Sequence, residues 1–128
     1  MTTSTYVSTL RVRVGQEDVH YGGGLVAGAY CMKLFGDLVT EIALRTDGHE
    51  GLLRAYESVE FLAPVAAGDF LEARAVMIRR GNTSRVCDLE MHRVIAGDPA
   101  GGPHATILAE PILVARARAT TIAPKEQA

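Results

Sequence analysis

Apolar and polar residues alternate along most of this chain, and one long stretch breaks the alternation. Residues 5–14 set Leu10, Val12 and Val14 against Arg11 and Arg13, the two-residue period of a half-buried strand. Gly15-Gln16-Glu17-Asp18 ends it, and His20-Tyr21-Gly22-Gly23-Gly24 follows as a glycine-rich turn. From Leu25 to about Arg45 there is no proline, and apolar residues recur at three- and four-residue steps. Leu25, Ala29, Met32, Phe35, Val39 and Ile42 fall on one broad face, which predicts an amphipathic helix. Its small residues Ala27, Gly28 and Ala29 point to close packing near the start, and the polar, glycine-bearing run 46–51 stops it.

Beyond the helix the period returns to two. Strands are predicted over residues 52–62, 69–79, 84–96 and 106–122, the last with a break at Pro111. Gly81-Asn82-Thr83 is a hairpin connection, and residues 97–104 form a loop rich in glycine and proline. The order is one strand, one long helix, then four strands. That is an α+β layer in which a single helix covers one face of an antiparallel sheet curled around it.

Composition narrows the function classes. The 128 residues fit one domain, residues 1–128, and 48% of them are hydrophobic, enough for a packed core. The net charge of -2 is spread without a basic block, which argues against nucleic acid as a partner. No apolar run is long enough to span a membrane, and residues 1–9 lack the pattern of a signal peptide. Cys31 and Cys87 have no CxxC neighbour, so free buried thiols in a reducing cytoplasm are expected, with no metal site.

Two stretches resemble the hotdog superfamily of acyl-CoA enzymes. One is His20-Tyr21-Gly22-Gly23-Gly24-Leu25 running into the helix. The other is Val59-Glu60-Phe61-Leu62-Ala63-Pro64-Val65 through Gly68-Asp69-Phe70, followed by Arg80-Gly81-Asn82-Thr83-Ser84. Within that superfamily the chain is similar to the small CoA-thioester ammonia lyases, those acting on 3-aminobutyryl-CoA and β-alanyl-CoA. His20-Tyr21, Leu25-Val26, Gly28-Ala29, Gly36-Asp37, Thr40-Glu41 and Val59-Glu60-Phe61 carry that likeness, which fades beyond Ala96.

The resemblance implies a hotdog fold, at least a homodimer, extending in some relatives to a tetramer or hexamer, and reversible loss of ammonia from a β-aminoacyl-CoA such as 3-aminobutyryl-CoA. It implies no cofactor beyond the CoA of the substrate. Hotdog thioesterases of the Gly-Gly type place an acid about two turns after the glycines. Here Tyr30 and Cys31 stand there, which puts a thioesterase or an enoyl-CoA hydratase second. A non-enzymatic acyl-CoA-binding module is a further alternative.

The chemistry assigns candidate roles. Gly22, Gly23 and Gly24, leading into a helix, let its free N–H groups meet a thioester carbonyl and raise the acidity of the α-proton. Asp37 and Glu41, spaced i, i+4, and Glu60 are candidate proton-transfer groups, with Lys33–Asp37 as a purely structural pairing to weigh against that. His20 and Tyr21 stand where they would orient a substrate. Arg80, Gly81 and Asn82, with Arg74, Arg79 and Arg85 nearby, are candidates for the CoA phosphates and pantetheine arm.

Overall fold

A computed structural model describes residues 6–124. The strands are β1 (Val7–Arg13), β2 (Val19–Tyr21), β3 (Leu25–Val26), β4 (Leu52–Phe61), β5 (Phe70–Arg80), β6 (Ser84–Ala96) and β7 (Thr106–Ile122), and the helix α1 spans Gly28–Asp47. Five strands form one antiparallel sheet in the order β1-β5-β6-β7-β4, while β2 and β3 make a separate small ribbon. The expected α+β hotdog architecture is the one observed.

Alternation sets the two faces of the sheet. Leu71, Ala73 and Ala75 of β5, Cys87, Leu89 and Met91 of β6, and Ala115, Ala117 and Ala119 of β7 point to the helix and are buried. Glu72, Arg74, Glu90 and Arg116 occupy intervening positions and are exposed. Five of the nine inner residues are alanine, so the helix backbone can come close to the strands. Against this seat α1 presents Cys31, Leu34, Phe35, Leu38, Val39, Ile42 and Ala43. Each fully buried large side chain on that face contributes roughly 1.5–3 kcal/mol.

Three details depart from the sequence pattern. The helix begins at Gly28, not Leu25, because Leu25 and Val26 pair with β2 and the Val26 N–H donates to the Val65 carbonyl at 2.9 Å. Ala29, expected on the buried stripe, is exposed, and Met32 is half-buried. The buried face is rotated toward Leu34 and Leu38. Strand 52–62 slips in its pairing between Leu53 and Ala55 and again after Glu57. There Ser58 takes a left-handed conformation (φ 56) and the pairing with β7 slips, a β-bulge. Near Pro111 β7 remains one strand, but its ladder with β6 shifts between Arg93 and Ile95, in keeping with a residue that cannot donate.

An ion pair fixes the far end of the helix. Asp47 ends α1, where the helix dipole disfavours a negative charge. Arg85 of β6 meets it with two bonds, 2.9 and 3.1 Å, and spends its remaining donors on the carbonyls of Gly81 and Ser84. The bonds from Arg85 hold the Asp47 carboxyl below its usual range, against the opposing effect of burial. Both side chains are largely buried. Removing one partner from such a pair costs about 3–5 kcal/mol. Arg85→Met is therefore expected to lower the urea midpoint strongly. Because the folded-state carboxyl titrates low, the pair's contribution is present above the ordinary carboxylate range and lost as pH falls through the folded value. Asp47→Asn is expected to flatten that acid limb in urea melts taken across pH 3 to 7.

Cys31 and Cys87 are free and buried, and burial raises both thiols to about 11. At pH 8 the native protein is expected to react with a disulfide reagent far more slowly than the urea-unfolded chain. Rapid native labelling of either thiol would contradict that burial.

Candidate active site

The helix start is built by a turn, a ribbon and a docked loop. Gly23 and Gly24 have φ of 75° and 76°, which only glycine adopts without strain, and no atom lies within 4 Å of a Cβ placed on either. These two glycines are thus needed for chain direction and not for close approach. The three glycines also do not run directly into the helix, as the sequence suggested. Leu25, Val26 and Ala27 intervene, so the first-turn N–H groups are those of Gly28 and Ala29. Ala27 is the N-cap and has no side-chain oxygen to accept from them. The loop over residues 62–69 lies against this start. The Ala67 N–H donates to the Gly24 carbonyl at 2.9 Å, and buried Asp69 holds the loop through the N–H groups of Ala66 and Gly97.

The predicted acids do not converge there. Asp37 is exposed and pairs with Lys33 at 3.5 Å. It lies nine residues after Gly28, or about 13 Å along the axis. Glu41 accepts from the Ser8 hydroxyl and from Arg45. These bonds, that from Ser8 first, hold its carboxyl below the usual range and clamp α1 to β1. Glu60 sits on the outer face of the sheet with Arg116, away from the helix of its own subunit.

Sequence reasoning passed over another pair. Glu17 and Asp18 form a short 3-10 turn just before β2. The Tyr30 hydroxyl is raised above its ordinary value chiefly by burial and then by the Asp18 carboxylate, with Cys31 and Glu17 adding smaller contributions. Tyr30 is in the first turn of α1, so the charge of these carboxylates is felt at the helix start. The only sequence signal was an acidic dipeptide read as a strand end. His20 and Tyr21 follow on β2, exposed, with rings edge to face at 4.6 Å.

The hairpin Arg80-Gly81-Asn82 lies at the opposite end of α1. Arg80 donates to Asp47 at 3.2 Å, and Asn82 lines a cavity of about 240 Å³ with Asp47, His49, Thr83 and Arg85. The 20-residue helix separates that hairpin from Gly28 by roughly 30 Å. The roomiest groove, about 630 Å³, is on the outer face of the sheet among Glu60, Asp88, Glu90, Arg116 and Arg118. Its charges are matched internally, with Arg118 bonded to Asp88 at 2.7 Å and Arg116 to Glu60. Neither Gly28 nor Ala29 lines it.

Comparison with known proteins identifies the family and the fold. The family model of the Thioesterase superfamily matches residues 23–97. A 3-aminobutyryl-CoA ammonia lyase of Acetoanaerobium sticklandii is 45% identical over 121 residues, 94% of this chain and 96% of that one. Among solved structures, the β-alanyl-CoA:ammonia lyase from Clostridium propionicum superposes with a TM-score of 0.89 at 31% identity, over 93% of this chain and 85% of that chain. An acyl-CoA hydrolase from Staphylococcus aureus, solved with butyryl coenzyme A, shares the fold at a TM-score of 0.76 and 18% identity, over 94% and 67%. The chain belongs to the thioesterase (hotdog) superfamily, in the family of CoA-thioester ammonia lyases.

Proposed function

We propose that this protein is an ammonia lyase acting on 3-aminobutyryl-CoA or a close β-aminoacyl-CoA, giving the 2-enoyl-CoA and ammonia. The observation that carries this reading is 45% identity to a 3-aminobutyryl-CoA ammonia lyase across almost the full length of both chains. The uncapped helix start supplies the chemistry. The thioester carbonyl accepts from the N–H groups of Gly28 and Ala29. As a base removes the α-proton, the negative charge growing on that oxygen is met by the positive end of the helix dipole. The electron pair then forms the α,β double bond, and the C–N bond breaks. The nitrogen leaves as ammonia, and no electron acceptor or metal is needed.

The base is assigned to the Glu17–Asp18 turn, which precedes the β2 and glycine approach to the helix and whose carboxylates have no cation partner among the described ion pairs. Asp37, supplied across a subunit boundary, is the competing base. Glu41 is occupied with the β1 clamp and Glu60 with Arg116. His20 and Tyr21 form the rim of the entrance, and Arg80, Gly81 and Asn82 of a second subunit receive the CoA arm. That arrangement needs at least a dimer. β4 is an edge strand carrying exposed Leu52, Leu53 and Val59, a surface suited to pairing with a second copy. Two free, buried cysteines suit a cytoplasmic setting. Among the described residues no helix is long and apolar enough to cross a membrane.

Crotonyl-CoA incubated with ammonium should lose its enoyl absorbance without releasing thiol. Thiol release would indicate a thioesterase, and absorbance loss independent of ammonium a hydratase. The Glu17→Gln/Asp18→Asn double variant is expected to lower kcat by at least about 100-fold, the scale of general acid–base catalysis. Asp37→Asn is expected to stay within a few-fold of the unsubstituted enzyme, and the reverse result would transfer the base to Asp37. Sedimentation equilibrium should give a mass at least twice the 13.7 kDa of one chain.

A further inference from the structure

Phe61 ends β4 and lies against the first residue of the helix. A Cβ placed on Gly28 would sit 2.7 Å from the Phe61 Cζ and 2.8 Å from one Cε, so the ring occupies the space a side chain at position 28 would take. The ring is there because of the bulge. Tyr56 and Phe61 are five residues apart and in a regular strand would face opposite ways. The extra residue at Ser58–Val59 returns Phe61 to the helix side, where the Tyr56 hydroxyl also donates to the Met32 carbonyl at 2.8 Å. Immediately beyond it, the Leu62 N–H donates to the Val114 carbonyl at 2.8 Å and anchors the strand end. The ring is 54% exposed although it packs on the helix start. One side of this large apolar group is therefore open to whatever occupies the space beside Gly28.

We infer that Phe61 is the specificity-determining residue for acyl-chain length, and that its ring closes the site behind a short acyl group. The inference rests on the reading that the thioester carbonyl binds at Gly28 and Ala29. With the carbonyl there, the acyl carbons lie next to the ring, which fills the volume beside Gly28. A chain of about four carbons packs on the exposed face of the ring. A longer chain needs the volume that the ring fills and forgoes the gain of about fourfold in binding per buried methylene.

Binding of saturated acyl-CoAs, which cannot eliminate ammonia, isolates this property from turnover. Dissociation constants for butyryl-CoA and hexanoyl-CoA are measured by calorimetry on the unsubstituted protein, Phe61→Ala and Phe61→Leu. The expected result is a shift of about tenfold toward hexanoyl-CoA in Phe61→Ala, with a smaller shift in Phe61→Leu, which keeps more of the bulk and guards against loss of fold. An unchanged hexanoyl-to-butyryl ratio in Phe61→Leu, with or without a folded Phe61→Ala, overturns the inference. Absence of acyl-CoA binding in the unsubstituted protein overturns both it and the site. A shifted ratio in a protein that shows no ammonium-dependent turnover leaves Phe61 as the chain-length determinant and removes only the lyase assignment.

Discussion

Everything in this fold depends on one seat, where α1 lies on the alanine-rich inner face of the sheet. Ala73, Ala75, Ala115, Ala117 and Ala119 give the helix room to settle among the strands, while Phe35, Leu38 and Ile42 fill the space between. Close packing makes that contact intolerant of changes in volume, so the helix has one position and one rotation. Its two ends are then fixed by different means. At the far end Arg85 neutralises an acid that the helix dipole disfavours. At the near end nothing caps the first turn, and the loop over residues 62–69 is fitted beside it. The acid at the end is satisfied by an arginine, while the N-cap of the start makes no side-chain hydrogen bond, which is why the proposed substrate oxygen is set at the start.

That asymmetry separates two roles that look alike in the sequence. Asp37, Glu41, Asp47, Glu60 and the Glu17–Asp18 pair are all acids whose surroundings the sequence does not distinguish. The structure engages Glu41 with Ser8 and Arg45, Asp47 with Arg85, and Glu60 with Arg116. A carboxylate already satisfied by a cation gains little by taking a proton at neutral pH, which makes it a poor base. Glu17 and Asp18 have no arginine or lysine partner among the described ion pairs, and their charges help to raise the Tyr30 hydroxyl at the helix start.

The sequence made the architecture legible because a single change of period, from two to 3.6 and back, is hard to mistake. Leu71, Ala73 and Ala75 could be placed on one face of a strand from alternation alone. The helix start was less legible. Leu25 and Val26 are as apolar as any helical residue, and only their pairing with β2 and the Val65 carbonyl removes them from α1. The site was legible as a place and not as a set of groups. His20 through Gly24 marked the approach to the helix, but the neighbours of Tyr30 depend on how a 3-10 turn folds back, and no local period encodes that. The facing of Glu60, open in the sequence between solvent and a partner's helix, was illegible for a similar reason. It depends on a slip in pairing that the residues themselves do not announce.

That slip at Ser58 also acts as a phase dislocation in the sheet. From Ala55 to Glu57 the odd-numbered residues of β4 are turned outward; downstream, the even-numbered ones are. The two sides of the slip therefore present different alternations to the helix and to the outside. Its outward charges Glu57 and Glu60 stay in step with Arg118 and Arg116 on β7 only because of the dislocation. Losing or gaining a single residue there would leave composition and hydrophobicity almost untouched. It would nonetheless exchange the two surfaces of the strand from that point on, sending an aromatic ring to solvent and a carboxylate toward the core. In this edge strand the count of residues carries as much information as their identity.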